Sequence, residues 1–509
     1  MPDIKSNNST TYLLGIDSGL TMTKAVVFNT DGKALGVGSV RTISSTPHPR
    51  WTERDMMDVW HGCVQAIHIA LEKASVNARE IVAIGVTAHG DGVYMIDRHG
   101  VPVRPGILSL DSRAWDIIQM WKDDGVMDTA LALTGQYPNQ AAPATLLAWI
   151  KKHEPQNYER IHHFMFCKDW IRYKLTGQVA TDPTEASTSF TNVMTQKYSP
   201  AIFSLFGLEE MTSKAPPILS PLEFAGKVTH SAAKETGLVE GTPVGTGLHD
   251  VDACALGTGC IRPGQLSAIA GTYSINQVIS SMPVLSKDWA CRNFLTPGVW
   301  NCMSISPASA TNLEWFVREL CPMEVEKAQQ ENRSAFAFVN EEIEKVLEED
   351  IRVFFLPFIY GSPHGEKANA GFLGIRGWHT RAHLLKAVYE GVVFNHKTHI
   401  DFLRSALPAT EVRLAGGGAK SKIWSQMFAD ALNLRTVVTD AEETGALGTA
   451  ICAGFAAGVY TSLENAVERT VRVLQNHEPN PERYVKLAAA YDVYAEIIRS
   501  LAPAWQKME

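Results

Sequence analysis

Near the start of the chain an apolar run, Tyr12 to Ile16, stops at Asp17-Ser-Gly-Leu-Thr21, and a second apolar run resumes at Lys24 and ends at Phe28. Two short strands joined by a glycine-containing turn form a β-hairpin, and here the turn carries an aspartate. A Walker A loop differs because it opens into a helix, and the chain contains neither G-x-x-x-x-G-K-[ST] nor G-x-G-x-x-G. P-loop and dinucleotide-binding folds are therefore set aside. Further on, Val59 to Ala74 has helical spacing of apolar residues, Ile81 to Val86 reads as a buried strand, and Val93 to Ile96 as another before the turn at 97–100. Strands alternating with helices predict an α/β layer. The pattern recurs: Gln265 to Ala270 and Val412 to Ala415 as strands, Arg381 to Phe394 and Ser425 to Leu432 as helices.

With 509 residues the chain exceeds what one hydrophobic core organises, so two large domains are expected. A glycine-rich stretch, Gly241 to Gly247, followed by Gly257-Thr-Gly259, places the boundary near Leu256, giving domains 1–256 and 257–509. Irregular chain is expected chiefly at Met1 to Thr10. The net charge of −8 is scattered, which removes any electrostatic case for nucleic acid or an anionic membrane as partner. Eight dispersed cysteines without a C-x-x-C pair predict reduced thiols and a cytoplasmic location. Neither a signal peptide nor a membrane helix is expected.

Two segments carry a resemblance to a known family. Ala370-Gly-Phe-Leu-Gly-Ile375, followed by His383-Leu-Leu-Lys-Ala-Val-Tyr-Glu390, resembles the C-terminal signature of the FGGY carbohydrate kinases, members of the sugar kinase, Hsp70 and actin ATPase superfamily. Pro143 to Glu154 resembles their N-terminal signature in part, with Leu146 or Leu147 where a lysine is usual. The resemblance covers Tyr12 to about Val473. It implies an α/β fold of two ribonuclease H-like, actin/hexokinase-type ATPase domains flanking a catalytic cleft.

What the family does at each motif is carried over residue by residue. Asp17, Gly19 and Thr21 are similar to the first phosphate loop, with Asp17 holding Mg²⁺ through water while backbone N–H groups face the phosphates of ATP. Leu20 stands where a threonine is usual and Lys24 where an arginine is common, so a hydroxyl contact is lost and a bidentate cation becomes a point charge. Gly271 and Thr272 resemble the second phosphate loop, and Gly416, Gly417 and Gly418 the adenosine loop. The implied catalytic base is Asp250, with Gly257 seven residues on. Its neighbour Asp252 is expected to cap the following helix, as either aspartate could. His89 and Asp91, in Thr87-Ala-His-Gly-Asp-Gly92, are the implied substrate residues together with Asp250. The pair Asp111 and Arg113 is read as mostly structural. Cys167 to Gly177 and Thr181 to Ser187 are expected to wall the sugar.

The implied activity is ATP- and Mg²⁺-dependent phosphorylation of a primary hydroxyl on a small sugar or polyol. A ketopentose such as L-xylulose is favoured, with erythritol or another polyol, glycerol included, as the alternative. A non-kinase ATPase of the actin or Hsp70 kind is the distant one. A homodimer stays open.

Overall fold

A computed structural model describes residues 11–365 and 367–508. The expectation for Met1 to Thr10 lies outside the described residues. The chain forms two compact units: residues 1–261, 279–301 and 443–472 make the first, and 262–278, 302–442 and 473–509 the second.

In the first unit the strands run in the order Ala34–Arg41, Met22–Asn29, Tyr12–Ser18, Ile81–Ala88, Pro243–Gly245, Phe224–Lys227. The expected hairpin is present, Asp17 pairing with Lys24 and Ser18 with Thr23. Tyr12–Ser18 runs parallel to Ile81–Ala88, and the short strand Leu248–His249 adds in parallel beyond it, Leu248 opposite Thr87 and His249 opposite Ala88. Three chain segments thus end at one edge of the sheet, delivering Asp17, His89 and Asp250 to the carboxyl ends of parallel strands. Open α/β sheets bind their ligands at that edge.

The sheet is buried on both faces, which explains its near-continuous apolar strands. The helix Met56–Ala74 covers one face through Val59, Trp60, Cys63 and Ile67. The helix Thr444–Ala456 lies against Gly15 and Gly85, where an added Cβ would fall 2.1 Å from the Ala446 carbonyl oxygen and 2.2 Å from that of Thr449. A second core of the same unit gathers Trp121, Trp149, Phe164, Phe190 and Phe203. The partial signature at Pro143 to Glu154 is the helix Pro143–His153, whose Leu146 and Leu147 belong to that core. A lysine at either position would be buried without a partner. Asp111 and Arg113 form a buried ion pair (Nη2 to Oδ2, 2.7 Å), with the guanidinium against Trp51, so the structural expectation for them stands.

The second unit repeats the plan of the first. Gln265–Ala270 pairs antiparallel with Ser274–Ser280 across a tight turn and parallel with Glu411–Ala415, which is followed by Arg435–Thr439 and the antiparallel Val473–His477. Gly271-Thr272 and Gly416-Gly417-Gly418 therefore leave neighbouring parallel strands at the same end. The helix Arg381–Arg404 is longer than the run read from the sequence because buried polar residues, Asn395, His396 and His399, continue its inner face. Among the described residues no helix is long and apolar enough to cross a membrane. All eight cysteines are free.

Candidate active site

The first phosphate turn is fixed by backbone bonds and by a buried arginine. Gly19 N–H donates to the Met22 carbonyl at 2.9 Å, closing the hairpin. Arg54, 2% exposed, donates from Nη2 to the Leu20 carbonyl (2.6 Å) and from Nη1 to that of Gly19 (3.3 Å), and the Thr42 hydroxyl also donates to Leu20 (2.7 Å). With these carbonyls occupied, the N–H groups of the turn other than that of Gly19 are what it can offer an anion. Leu20 packs on the sheet core, which accounts for an apolar residue at this tip, while Thr21 is exposed. Lys24 forms an ion pair with Glu443 at 2.6 Å, a partner from a distant stretch of chain that sequence reasoning missed.

Asp17 lies under the start of the helix Thr444–Ala456 so closely that a Cβ at Gly445 would come 2.4 Å from its Oδ2. Burial, then the charge of Asp250, raises the Asp17 carboxyl to about 7. Two carboxyls that disfavour each other's charge suit a cation nearby. Among the described residues no three acidic, cysteine or histidine side chains converge to cage a metal. The donor set fits an ion held by one carboxylate, water and phosphate oxygens, as Mg²⁺ usually is.

Asp250 is the first residue of the helix Asp250–Gly257 and accepts the Val251 N–H at 2.8 Å. Its side chain keeps 32% exposure in an otherwise buried setting. Burial raises its pKa and the neighbouring His249 opposes that rise. The expected capping role of Asp252 is not found: His249 stands at the cap position, and Asp252 is the third residue of the first turn, fully buried. Asp252 accepts from Asn301 Nδ2 at 2.7 Å and lies 3.3 Å from His249 Nδ1. Burial alone would lower His249, but Asp252, Glu185 and Asp250 together carry it up to about 9. The imidazole is therefore a cation at neutral pH, 3.6 Å from Asp250.

The segments expected to wall the sugar, Cys167 to Gly177 and Thr181 to Ser187, are tied to the residues around Asp250. Lys168, Asp169, Arg172 and Asp182 are fully buried and paired with one another, Lys168 lying 2.5 Å from Asp169 and 2.9 Å from Asp182. Charges closed on each other inside the core are not available to a ligand. Arg172 also donates to the Thr246 carbonyl at 2.8 Å, and the Thr184 hydroxyl accepts the His249 N–H at 2.9 Å, fixing the approach to Asp250.

His89 is 2% exposed, its N–H bonded to the Ser18 carbonyl and its Nε2 3.2 Å from the Tyr94 hydroxyl. Its Nδ1 has no protein partner among the described residues, and burial holds the ring neutral, down to about 3. Gly90 is required by closeness: a Cβ there would meet His249 Nε2 at 1.6 Å. Asp91 adopts φ 52° and receives Arg292 Nη2 at 3.2 and 3.4 Å, a contact the sequence did not announce because 201 positions separate the two. Asp17, His89, Asp91 and Asp250 thus belong to one constellation of the first unit.

In the second unit, Gly417, Gly418, Ser421, Trp424, Tyr389 and Asn340 are among the residues lining a cavity of about 410 Å³. Gly416 has φ 91°, and a Cβ there would lie 2.6 Å from the Ala270 carbonyl oxygen and 3.1 Å from Gly271 N, so the two glycine loops touch. Thr311 donates to the Thr272 carbonyl at 3.2 Å. The Tyr389 and Trp424 rings lie 4.6 Å apart. Asn340 Oδ1 accepts both the Tyr389 and the Ser421 hydroxyls at 2.9 Å, which turns its amide nitrogen away from these two partners. An aromatic slot with one oriented amide suits a flat heterocycle.

A two-unit α/β fold with glycine-containing turns at matching strand ends, and in the first unit a carboxylate beside its turn, is the arrangement expected of a sugar kinase. Residues 12–257 match the N-terminal domain and 266–457 the C-terminal domain of the FGGY family of carbohydrate kinases. An L-xylulose/3-keto-L-gulonate kinase of Escherichia coli (strain K12) is 34% identical over 495 residues, covering 94% of this chain and 97% of that protein. An autoinducer-2 kinase of Salmonella paratyphi B is 28% identical over 502 residues, covering 93% and 91%. The crystal structure of xylulose kinase from Rhodospirillum rubrum superposes with a TM-score of 0.85 at 25% identity, covering 97% of this chain and all of that one. The chain belongs to the FGGY family of carbohydrate kinases, and it is a sugar kinase.

Proposed function

We propose that the protein transfers the γ-phosphoryl group of ATP to a primary hydroxyl of a ketopentose, L-xylulose being the favoured acceptor, with Asp250 as general base. The observation that carries this reading is Asp250 itself: a carboxylate at a helix start, partly open, beside the cationic His249 and within electrostatic reach of Asp17 and Asp91. A base of this kind takes the hydroxyl proton as the oxygen attacks phosphorus, and the flanking cation keeps it ionised until then. Asp91 and His89 Nδ1 receive and orient acceptor hydroxyls. The backbone of the turn from Gly19 to Thr21, apart from the Gly19 N–H that closes the hairpin, faces phosphate oxygens from the first unit with Lys24; the N–H groups of Gly271 and Thr272 do so from the second. The Gly416 to Gly418 loop and the Tyr389–Trp424 slot take the adenosine, with Asn340 donating to the base. Asp17 would hold Mg²⁺ through water, and the ion, when bound, neutralises charge on the phosphate oxygens.

The functional division is assigned to 1–256 for the acceptor and first phosphate turn and 257–509 for the nucleotide, with Arg292 and Glu443 contributed back to the first set. A cytoplasmic location accompanies this assignment. L-xylulose ranks ahead of erythritol because the 34% identical relative carries that substrate in its name. ADP release measured across ketopentoses, tetritols, pentitols and glycerol tests the choice. Highest kcat/KM on L-xylulose is expected; a tetritol outranking every ketopentose would overturn it.

A further inference from the structure

Arg292 is built into the acceptor side of the first unit with little freedom. Its strand, Ala290–Asn293, is tied through Cys291 N–H to the Gly135 carbonyl (2.9 Å) and through Asn293 N–H to the Ser187 hydroxyl (3.2 Å). Its side chain is 6% exposed. Nε donates to Gln136 Oε1 at 2.8 Å, and Gln136 is itself fixed by donating to the Ser187 and Thr188 carbonyls at 2.6 and 3.0 Å. Nη2 spans both oxygens of Asp91, while Nη1 makes no hydrogen bond among the described residues. Asp91 is held equally firmly, between Gly90, pressed on His249, and Gly92, whose N–H donates to the Ala141 carbonyl at 2.9 Å.

The pair is thus nearly neutral and rigid, with 19% of the Asp91 side chain open, and on the function proposed above that open part meets the acceptor. A hydroxyl can donate to Asp91 and accept from Arg292 Nη1 at once. A carboxylate gains from the guanidinium but meets the fixed charge of Asp91 at close range, and juxtaposed like charges in a poorly solvated pocket are strongly disfavoured. L-xylulose and 3-keto-L-gulonate form a matched test of that difference. They share the hydroxymethyl end remote from the carbonyl, and the second carries an added carboxylate at the other end.

We infer that the Asp91–Arg292 pair is a specificity determinant that admits uncharged ketoses and turns away ketoses bearing a carboxylate at the carbonyl end. This rests on the ketopentose kinase function proposed above. Asparagine tolerates the left-handed backbone that Asp91 adopts, so Asp91→Asn removes the charge and keeps the turn.

The experiment measures kcat/KM for L-xylulose and for 3-keto-L-gulonate in the wild-type protein, Asp91→Asn and Arg292→Gln. The readout is the ratio of acid to neutral substrate, which does not depend on how much of a variant is correctly folded. The wild-type protein is expected to favour L-xylulose. Asp91→Asn is expected to raise the ratio at least about tenfold, and Arg292→Gln, which leaves the aspartate uncompensated, to lower it by a similar factor. Turnover of L-xylulose with a ratio that stays put in both variants, or a wild-type preference for the acid, overturns the inference and leaves the proposed kinase function standing. Turnover of neither compound by the wild-type protein brings down both.

Discussion

Asp250 depends on its immediate neighbours for its charge, and His249 is the one that can be tested without assaying catalysis. The His249 pKa is raised from 6.5 to about 9, so its charge stabilises the fold fully below pH 6.5, and that contribution is lost as the pH rises through about 9. Replacing it by glutamine should cost up to roughly 3 kcal/mol at pH 6 and much less at pH 10. Denaturation midpoints of the two proteins at both pH values check this; an equal gap at both would mean that His249 is not held as a cation. Asp17 and the three glycines from 416 stand where apolar strand runs end in a turn, and Asp250 was singled out only by the resemblance to the family. Arg54, Arg292 and Glu443 were not, since a long-range partner leaves no local pattern. Asp252 was misread for a related reason. A first-turn aspartate looks the same in sequence whether it caps the helix or, as here, holds an asparagine and a histidine in the core.

At the scale of elements, the proposed first phosphate site lies where a hairpin turn and a helix start meet. Gly445 is the second residue of the helix Thr444–Ala456, and its missing side chain is what leaves room for Asp17. Gly445→Ala should displace the aspartate and lower kcat by at least about tenfold, because a misplaced ion costs transition-state stabilisation. The KM for sugar should change little and the far-ultraviolet circular dichroism should be retained; a fully active variant would remove Asp17 from the phosphate site. The strands and helices read from periodicity are all present, most with ends moved by a few residues, while the helix read as Arg381 to Phe394 continues to Arg404. The helix Arg381–Arg404 shows why ends are hard to read. Its last turns bury histidine and asparagine on hydroxyls, His396 lying 3.1 Å from both Ser274 and Ser309, so the apolar repeat stops before the helix does. In the Cys167 to Ser187 region the pairing of Lys168, Asp169, Arg172 and Asp182 inside the core had no local pattern from which to be read.

At the scale of the whole molecule, one strand plan is used twice, and the two copies have diverged in what they present. The first offers carboxylates, a histidine pair and an arginine; the second offers glycine turns and an aromatic slot. That division matches an enzyme that must hold a polyhydroxylated acceptor with polar side chains and a nucleotide largely with backbone and rings. The segment 443–472 shows that the units are not sequential blocks. It anchors in the first unit through Tyr460 on the Thr30 carbonyl (3.1 Å) and Arg469 on Asp31 (3.1 Å), and it carries Glu443 and Gly445 with it.

The account turns on Asp250 as the base. The most direct test compares L-xylulose-dependent ADP release by the wild-type protein and Asp250→Asn, with ATP affinity measured on the same samples. The expected result is a fall in kcat of at least about a thousandfold with ATP binding unchanged within about threefold. Turnover at the wild-type rate by the asparagine variant would contradict the account.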